Sequence, residues 1–134
     1  MKVVLIPGVL ALRPEYASLI DPVAELRAAV DAAVAWAGSD GLVVVGNGSA
    51  KRTEKAPGYL DERAEGFDAA LRDALAEPSP EALRGVDPAL AEELWASVES
   101  LGTLADALEG ARLVSVDYDD APYGVQYWVM RWQR

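Results

Sequence analysis

Leu42-Val43-Val44-Val45 runs directly into Gly46-Asn47-Gly48-Ser49-Ala50-Lys51-Arg52-Thr53-Glu54-Lys55, an apolar stretch opening into a glycine-bearing polar loop. Four consecutive apolar residues, three of them β-branched, predict a strand covered on both faces and central in a sheet. Beyond the loop, Leu60, Ala64, Phe67, Leu71 and Ala74 recur at helical spacing and stop at Pro78. Strand, glycine turn, polar loop and helix is the order in which open α/β sheets present ligand-binding groups.

Toward the N-terminus, Lys2 to Ile6 reads as a short buried strand ended by Pro7-Gly8. Residues 12–20 read as an irregular connector. Asp21-Pro22 is a helix start, an N-cap carboxylate followed by proline at the first helical position. Val23, Leu26, Val30, Ala33, Val34 and Ala37 then form an apolar stripe ended by Gly38, with Glu25, Arg27 and Asp31 on the other face. Toward the C-terminus, Ser79-Pro80 starts a single helical turn. Asp87-Pro88 starts what reads as the longest helix, with Leu90, Leu94, Val98, Leu101, Leu104 and Leu108 on one face and Gly110 at its end. Residues 112–118 read as a strand in which Leu113 and Ser115 alternate with Val114 and Val116. Residues 126–132 form another after the Pro122 turn. There Trp128, Met130 and Trp132 share one face, and Tyr127, Val129 and Arg131 the other. The sum is one α/β domain over residues 1–134. It is a small three-layer arrangement with a mostly parallel, mixed sheet of about four strands flanked by helices, the last pair open to antiparallel pairing.

Composition narrows the function classes. The 134 residues carry 12 basic against 22 acidic side chains, a net charge of −10. Such a surface repels phosphate backbones and anionic lipid, which argues against nucleic acid or membrane as partner. The plain reading of the excess is solubility. No run approaches the roughly 18 apolar residues of a membrane span, and the apolar N-terminus, interrupted by Pro7, is too short for a signal peptide. With no cysteine there is no disulfide framework, and a cytoplasmic setting is the expectation.

The candidate site residues fall in two blocks. In the first, Asn47, Gly48 and Ser49 offer backbone N–H groups to an anion; the structural alternative is a tight turn that needs glycine for its shape. Lys51, Arg52 and Lys55 are a local basic cluster in an acidic chain. They suit a carboxylate or phosphate on a small ligand, or equally pair with Glu54, Asp61 and Glu62. Ser49 has no histidine to activate it, so serine nucleophile chemistry is not expected. In the second block, Asp117, Asp119 and Asp120 suit either a hard cation or a turn before Ala121-Pro122, and the turn is favoured. Asp119, Asp120 and the Tyr123 hydroxyl are expected across a cleft from Lys51 and Arg52; the alternative is that the two blocks brace each other by salt bridges and leave no cavity. The aromatic face of Trp128 and Trp132 reads as core or oligomer interface.

The run GNGSAKRTEKAPGYLDERAEGFDAAL at 46–71 resembles the second half of the LigB-type domain of class III extradiol ring-cleavage dioxygenases. It is similar above all to a divergent actinobacterial branch of LigB-like proteins. The run YDDAPYGVQY at 118–127 resembles the same branch, and VDPALAEEL at 86–94 is similar to that family's helix start. The resemblance implies ferrous iron held by two histidines and a carboxylate, with open positions for oxygen and a catecholate. It places a histidine after the serine that follows the strand. Ala50 stands there in this chain, and no histidine exists elsewhere. Family members are also longer, and the chain passes from its first helix almost directly to the strand at Leu42.

The resemblance with these departures implies a degenerate, metal-less LigB-like domain, and no iron or other cofactor is expected. Its leading function is a non-catalytic module that binds a small acidic or hydroxylated ligand or self-associates, with a homodimer through residues 126–132 expected. The competing reading is an enzyme using carboxylate, lysine or tyrosine chemistry in the retained cleft. A third is a structural partner for another protein.

Overall fold

The computed structural model describes residues 1–8, 24–54, 56, 59–122 and 124–134. The expected connector at 12–20, the Asp21-Pro22 helix start and the candidate residues Lys55 and Tyr123 lie outside the described residues. Four strands, β1 (Lys2–Ile6), β2 (Leu42–Val45), β3 (Arg112–Asp120) and β4 (Tyr127–Gln133), form one mixed sheet in the order β2-β1-β4-β3. Helices α1 (Ala24–Ala37), α2 (Arg63–Ala76), α3 (Pro80–Arg84), α4 (Pro88–Glu93) and α5 (Leu101–Ala107) complete the α/β domain.

β1 pairs with β2 in parallel and with β4 antiparallel, and β3 pairs with β4 antiparallel. One pair of three is therefore parallel, where the sequence leads one to expect parallel pairing to predominate. The short turn between β3 and β4 allows only a hairpin, and β4 then enters beside β1 in the reverse sense. β3 still runs in the direction of β1, so the ends of β1, β2 and β3 open on the same side of the sheet.

The period-2 pattern of β4 sorts the core as its sequence implies. Trp128, Met130 and Trp132 pack with Val3, Leu5 and Val44 against Leu71 and Leu75 of α2, Leu83 of α3 and Leu101 and Leu104 of α5. Tyr127 and Val129 pack with Val4 against Leu26, Val30 and Ala33 of α1 on the opposite face. Among the described residues this gives three layers, with α1 on one side of the sheet and α2, α3 and α5 on the other.

Three expectations are corrected. β2 is an outer strand, not a central one, and Val43 and Val45 are 37% and 48% exposed. Among the described residues α1 lies over β1 and β4, which leaves that face of β2 open. β4 lies between β1 and β3 with both its faces in the core, so it is not an edge that a second copy can pair with. The helix expected from Asp87 to Gly110 is two helices. Asp87 caps α4 as its carboxylate accepts from the amides of Ala89 and Leu90. The chain then leaves the helix at Trp95, and Ser97 pairs with Asn47 in a backbone bridge before α5 begins. Leu94, Leu101, Leu104 and Leu108 are all buried, so the apolar stripe is real although the helix beneath it is broken. Among the described residues no helix is long and apolar enough to cross a membrane.

Candidate functional site

The loop after β2 and the turn between β3 and β4 do meet at the same end of the sheet. They meet by bonding to each other. The amide of Gly48 donates to the carbonyl of Gln126 at 2.9 Å, the amide of Gln126 donates to that of Ser49 at 2.9 Å, and the amide of Arg52 donates to that of Gly124 at 3.0 Å. A Cβ on Gly48 would stand 2.6 Å from Asp68 Oδ1 and 2.7 Å from Gln126 Cβ, so only glycine allows this approach. Gly124 combines φ +77° with a virtual Cβ 2.4 Å from Ala56 Cβ. The glycines serve the turn reading of this loop.

Side chains lock the junction. Asp68, projecting from α2 and fully buried, accepts from the Ser49 amide at 2.8 Å and the Ser49 hydroxyl at 2.7 Å. Arg52 approaches the same carboxylate at 3.4 Å and donates to Gln126 Oε1 at 2.7 Å. Gln126 Nε2 donates in turn to Asp119 Oδ1 at 2.8 Å. Arg72, one turn beyond Asp68 on α2, holds Asp119 with two nitrogens, Nη2 reaching Oδ1 at 2.9 Å. The network runs from Ser49 through Asp68, Arg52 and Gln126 to Asp119 and Arg72. It joins both candidate blocks by direct hydrogen bonds and ion pairs, which is the bracing arrangement.

The expected partners change accordingly. Arg52 pairs with Asp68 rather than with Glu54. Asp61 is taken by Arg63, which also reaches Glu93. The Arg63 guanidinium lowers the pKa of the Asp61 carboxyl to about 2. Lys51 sets its ammonium over Trp95, 5.5 Å from the ring centroid. Asn47 accepts from the amide of Gly8 at 3.1 Å through its side-chain oxygen. Asp120 caps the turn by accepting from the amide of Ala121, as the turn reading expects.

The three aspartates near the end of β3 do not converge. Register shifts interrupt the pairing between Leu113 and Ser115 and between Val116 and Tyr118. An extra residue in a strand reverses the facing of the residues after it. Asp117 therefore pairs with Arg131, which lies over Trp36 of α1, while Asp119 reaches Arg72 on the opposite face. Among the described residues no group of three or more histidine, cysteine, aspartate or glutamate side chains is placed to hold a metal ion.

Sequence reasoning missed Asp68, Arg72 and Gln126. One signal was present for Asp68. It lies four residues after Ala64 and three before Leu71, on the apolar stripe of α2, where a carboxylate is out of place unless it is partnered. Burial pushes the Asp68 carboxyl above its ordinary value of 3.8, against the opposing pull of the Ser49 hydroxyl, the Ser49 amide and Arg52. A raised folded value means that the folded chain keeps this proton to higher pH than the unfolded chain does. Its contribution to stability therefore falls as pH rises above 3.8. Asp68→Asn abolishes that slope. The stability deficit of the variant, followed by urea unfolding from pH 4 to pH 7, is expected to narrow as pH rises. A deficit that widens would reverse the assigned direction.

No protein-family model matches this chain. No curated protein matches it at a significant level.

Proposed function

We propose that this chain is a non-catalytic, metal-less relative of the LigB-like dioxygenases that binds a small ligand at the carboxyl end of its sheet. The observation that carries the reading is the state of Ser49. Its side chain and amide are both spent on Asp68, and both residues are fully buried. Ala50, at the position where the resemblance places a metal-binding histidine, is 7% exposed and lies against the same junction. A ferrous centre of that family needs two imidazoles, and this chain has none. The residues present do not fit the iron site.

The cations of the loop remain at the rim. The Arg52 side chain is 24% exposed and Lys51 is half-buried beside the exposed ring of Trp95. An ammonium, a guanidinium and an aromatic wall suit a small aromatic acid bearing hydroxyl groups. Self-association belongs to the same proposal, through an outer strand, β2 or β3, rather than through β4.

The test is a titration with a dihydroxybenzoate followed by amide chemical shifts. Saturable shifts at Lys51, Arg52 and the Trp95 indole are expected. Lys51→Ala should weaken binding about tenfold, ~1.4 kcal/mol. A parallel incubation with ferrous iron and oxygen should give no ring-opened product. Stoichiometric ring cleavage, or binding that Lys51→Ala leaves unchanged, overturns the reading.

A further inference from the structure

The end of α4 carries a tryptophan where helices usually place glycine. The amide of Ala96 donates to the carbonyl of Ala91 at 2.9 Å, and that of Trp95 to the carbonyl of Glu92 at 3.1 Å. These are the two bonds of a Schellman ending, with Trp95 as the residue just past the cap. Trp95 accordingly adopts φ +58°, a conformation that glycine takes freely and a bulky residue resists. The residue is 57% exposed, so core packing does not explain its presence. A side chain that strains the backbone and stays in solvent points to a role outside folding.

The ring forms one wall of a cavity of about 530 Å³. Pro88 and Val98 add apolar surface, and Glu92 and Glu99 place two carboxylates at its margin. The walls are fixed before any ligand arrives. The amide of Ala50 donates to the carbonyl of Leu94 at 2.9 Å, and Asn47 and Ser97 exchange backbone bonds at 3.0 and 3.2 Å. The Ser97 hydroxyl donates to Glu99 Oε2 at 3.0 Å and orients that carboxylate. Lys51, whose ammonium already lies over this ring, is not part of the cavity wall. An aromatic face beside two carboxylates is complementary to a cation carried on an apolar stem. The net charge of −10 favours the approach of such a partner.

We propose that this cavity docks a basic segment of another protein, seating an arginine or lysine side chain against Trp95 with its charge between Glu92 and Glu99. The site shares the Trp95 ring with the small-ligand reading of the loop after β2, but it draws on Glu92 and Glu99 rather than on Lys51 and Arg52, and it stands if that reading falls. The probe is a capped pentapeptide, Ala-Arg-Ala-Arg-Ala, compared with the same peptide carrying neutral citrulline in place of arginine. The arginine peptide is expected to shift the Trp95 indole and the amides of Glu92 and Val98 saturably, with the citrulline peptide at least tenfold weaker. Trp95→Gly should keep a melting temperature at or above the parent's, because glycine suits the backbone, and should lose at least tenfold in peptide affinity. The double variant Glu92→Gln/Glu99→Gln should fold normally and lose a similar factor. Equal affinity for the two peptides, full affinity in Trp95→Gly, or methylguanidinium binding as tightly as the peptide would each overturn the proposal.

Discussion

Asp68→Ala is expected to destabilise the fold by about 3–5 kcal/mol, the cost of leaving a buried charged and hydrogen-bonded network without its acceptor. Two donors are stranded at once. The Ser49 hydroxyl and the Ser49 amide both end on Asp68 in a site closed to water, and an unsatisfied buried donor costs about 1–3 kcal/mol. Arg52 suffers less, since its side chain is 24% exposed and keeps Gln126 as a partner. The loss should reach beyond α2, because Gly48 packs its backbone against both Asp68 and Gln126. Amide exchange should accelerate at Gly48, Arg52 and Gln126, whose amides clasp the two loops together. Urea unfolding measures the energy, and a double-mutant cycle with Ser49→Ala isolates the pair. With Ser49 already alanine, the further loss on removing Asp68 should shrink clearly. Strict additivity would mean that the two residues do not act as a unit.

The architecture was legible where one residue type has one meaning. Alternation in β4 placed Trp128, Met130 and Trp132 on one face and Tyr127 and Val129 on the other, and both sets are core. Asp87-Pro88 and Ser79-Pro80 marked real helix starts. The errors came from partners far away in sequence. The run Leu42–Val45 reads as doubly covered, yet which strand lies outermost depends on where β4 inserts, and no local pattern states that. The break between α4 and α5 has neither proline nor glycine at its turn. It exists because Trp95 accepts a strained conformation and Ser97 bonds to Asn47, far earlier in the chain. The candidate site was half legible for the same reason. Loop composition singles out Ser49, Arg52 and Asp119, which do belong to one network. The groups that join them, Asp68, Arg72 and Gln126, sit on or beside regular elements where polar residues pass as surface. The bulges in β3 were invisible, and with them the separation of Asp117 from Asp119.

Trp132→Ala is expected to cost about 3–5 kcal/mol, the range for emptying a large aromatic site in a closed core. Trp132 is fully buried and fills the layer between β4 and the helices above it. A milder comparison separates packing from hydrogen bonding. Trp132 Nε1 donates to the carbonyl of Leu75 at 3.0 Å. That carbonyl belongs to the last turn of α2, where the helix itself supplies no donor. The indole therefore caps α2 from the sheet. Trp128 is buried to the same degree, but its Nε1 has no hydrogen-bond partner among the described residues. Phenylalanine removes a similar volume at either position. At 132 it also strands the Leu75 carbonyl; at 128 it removes a donor that gains nothing from the fold. Trp132→Phe should therefore exceed Trp128→Phe in cost by about 1–3 kcal/mol. Denaturant unfolding of the two variants under one condition reads the difference directly. Equal costs, or a larger loss at 128, would show that the indole of Trp132 contributes by volume alone and that α2 ends without it.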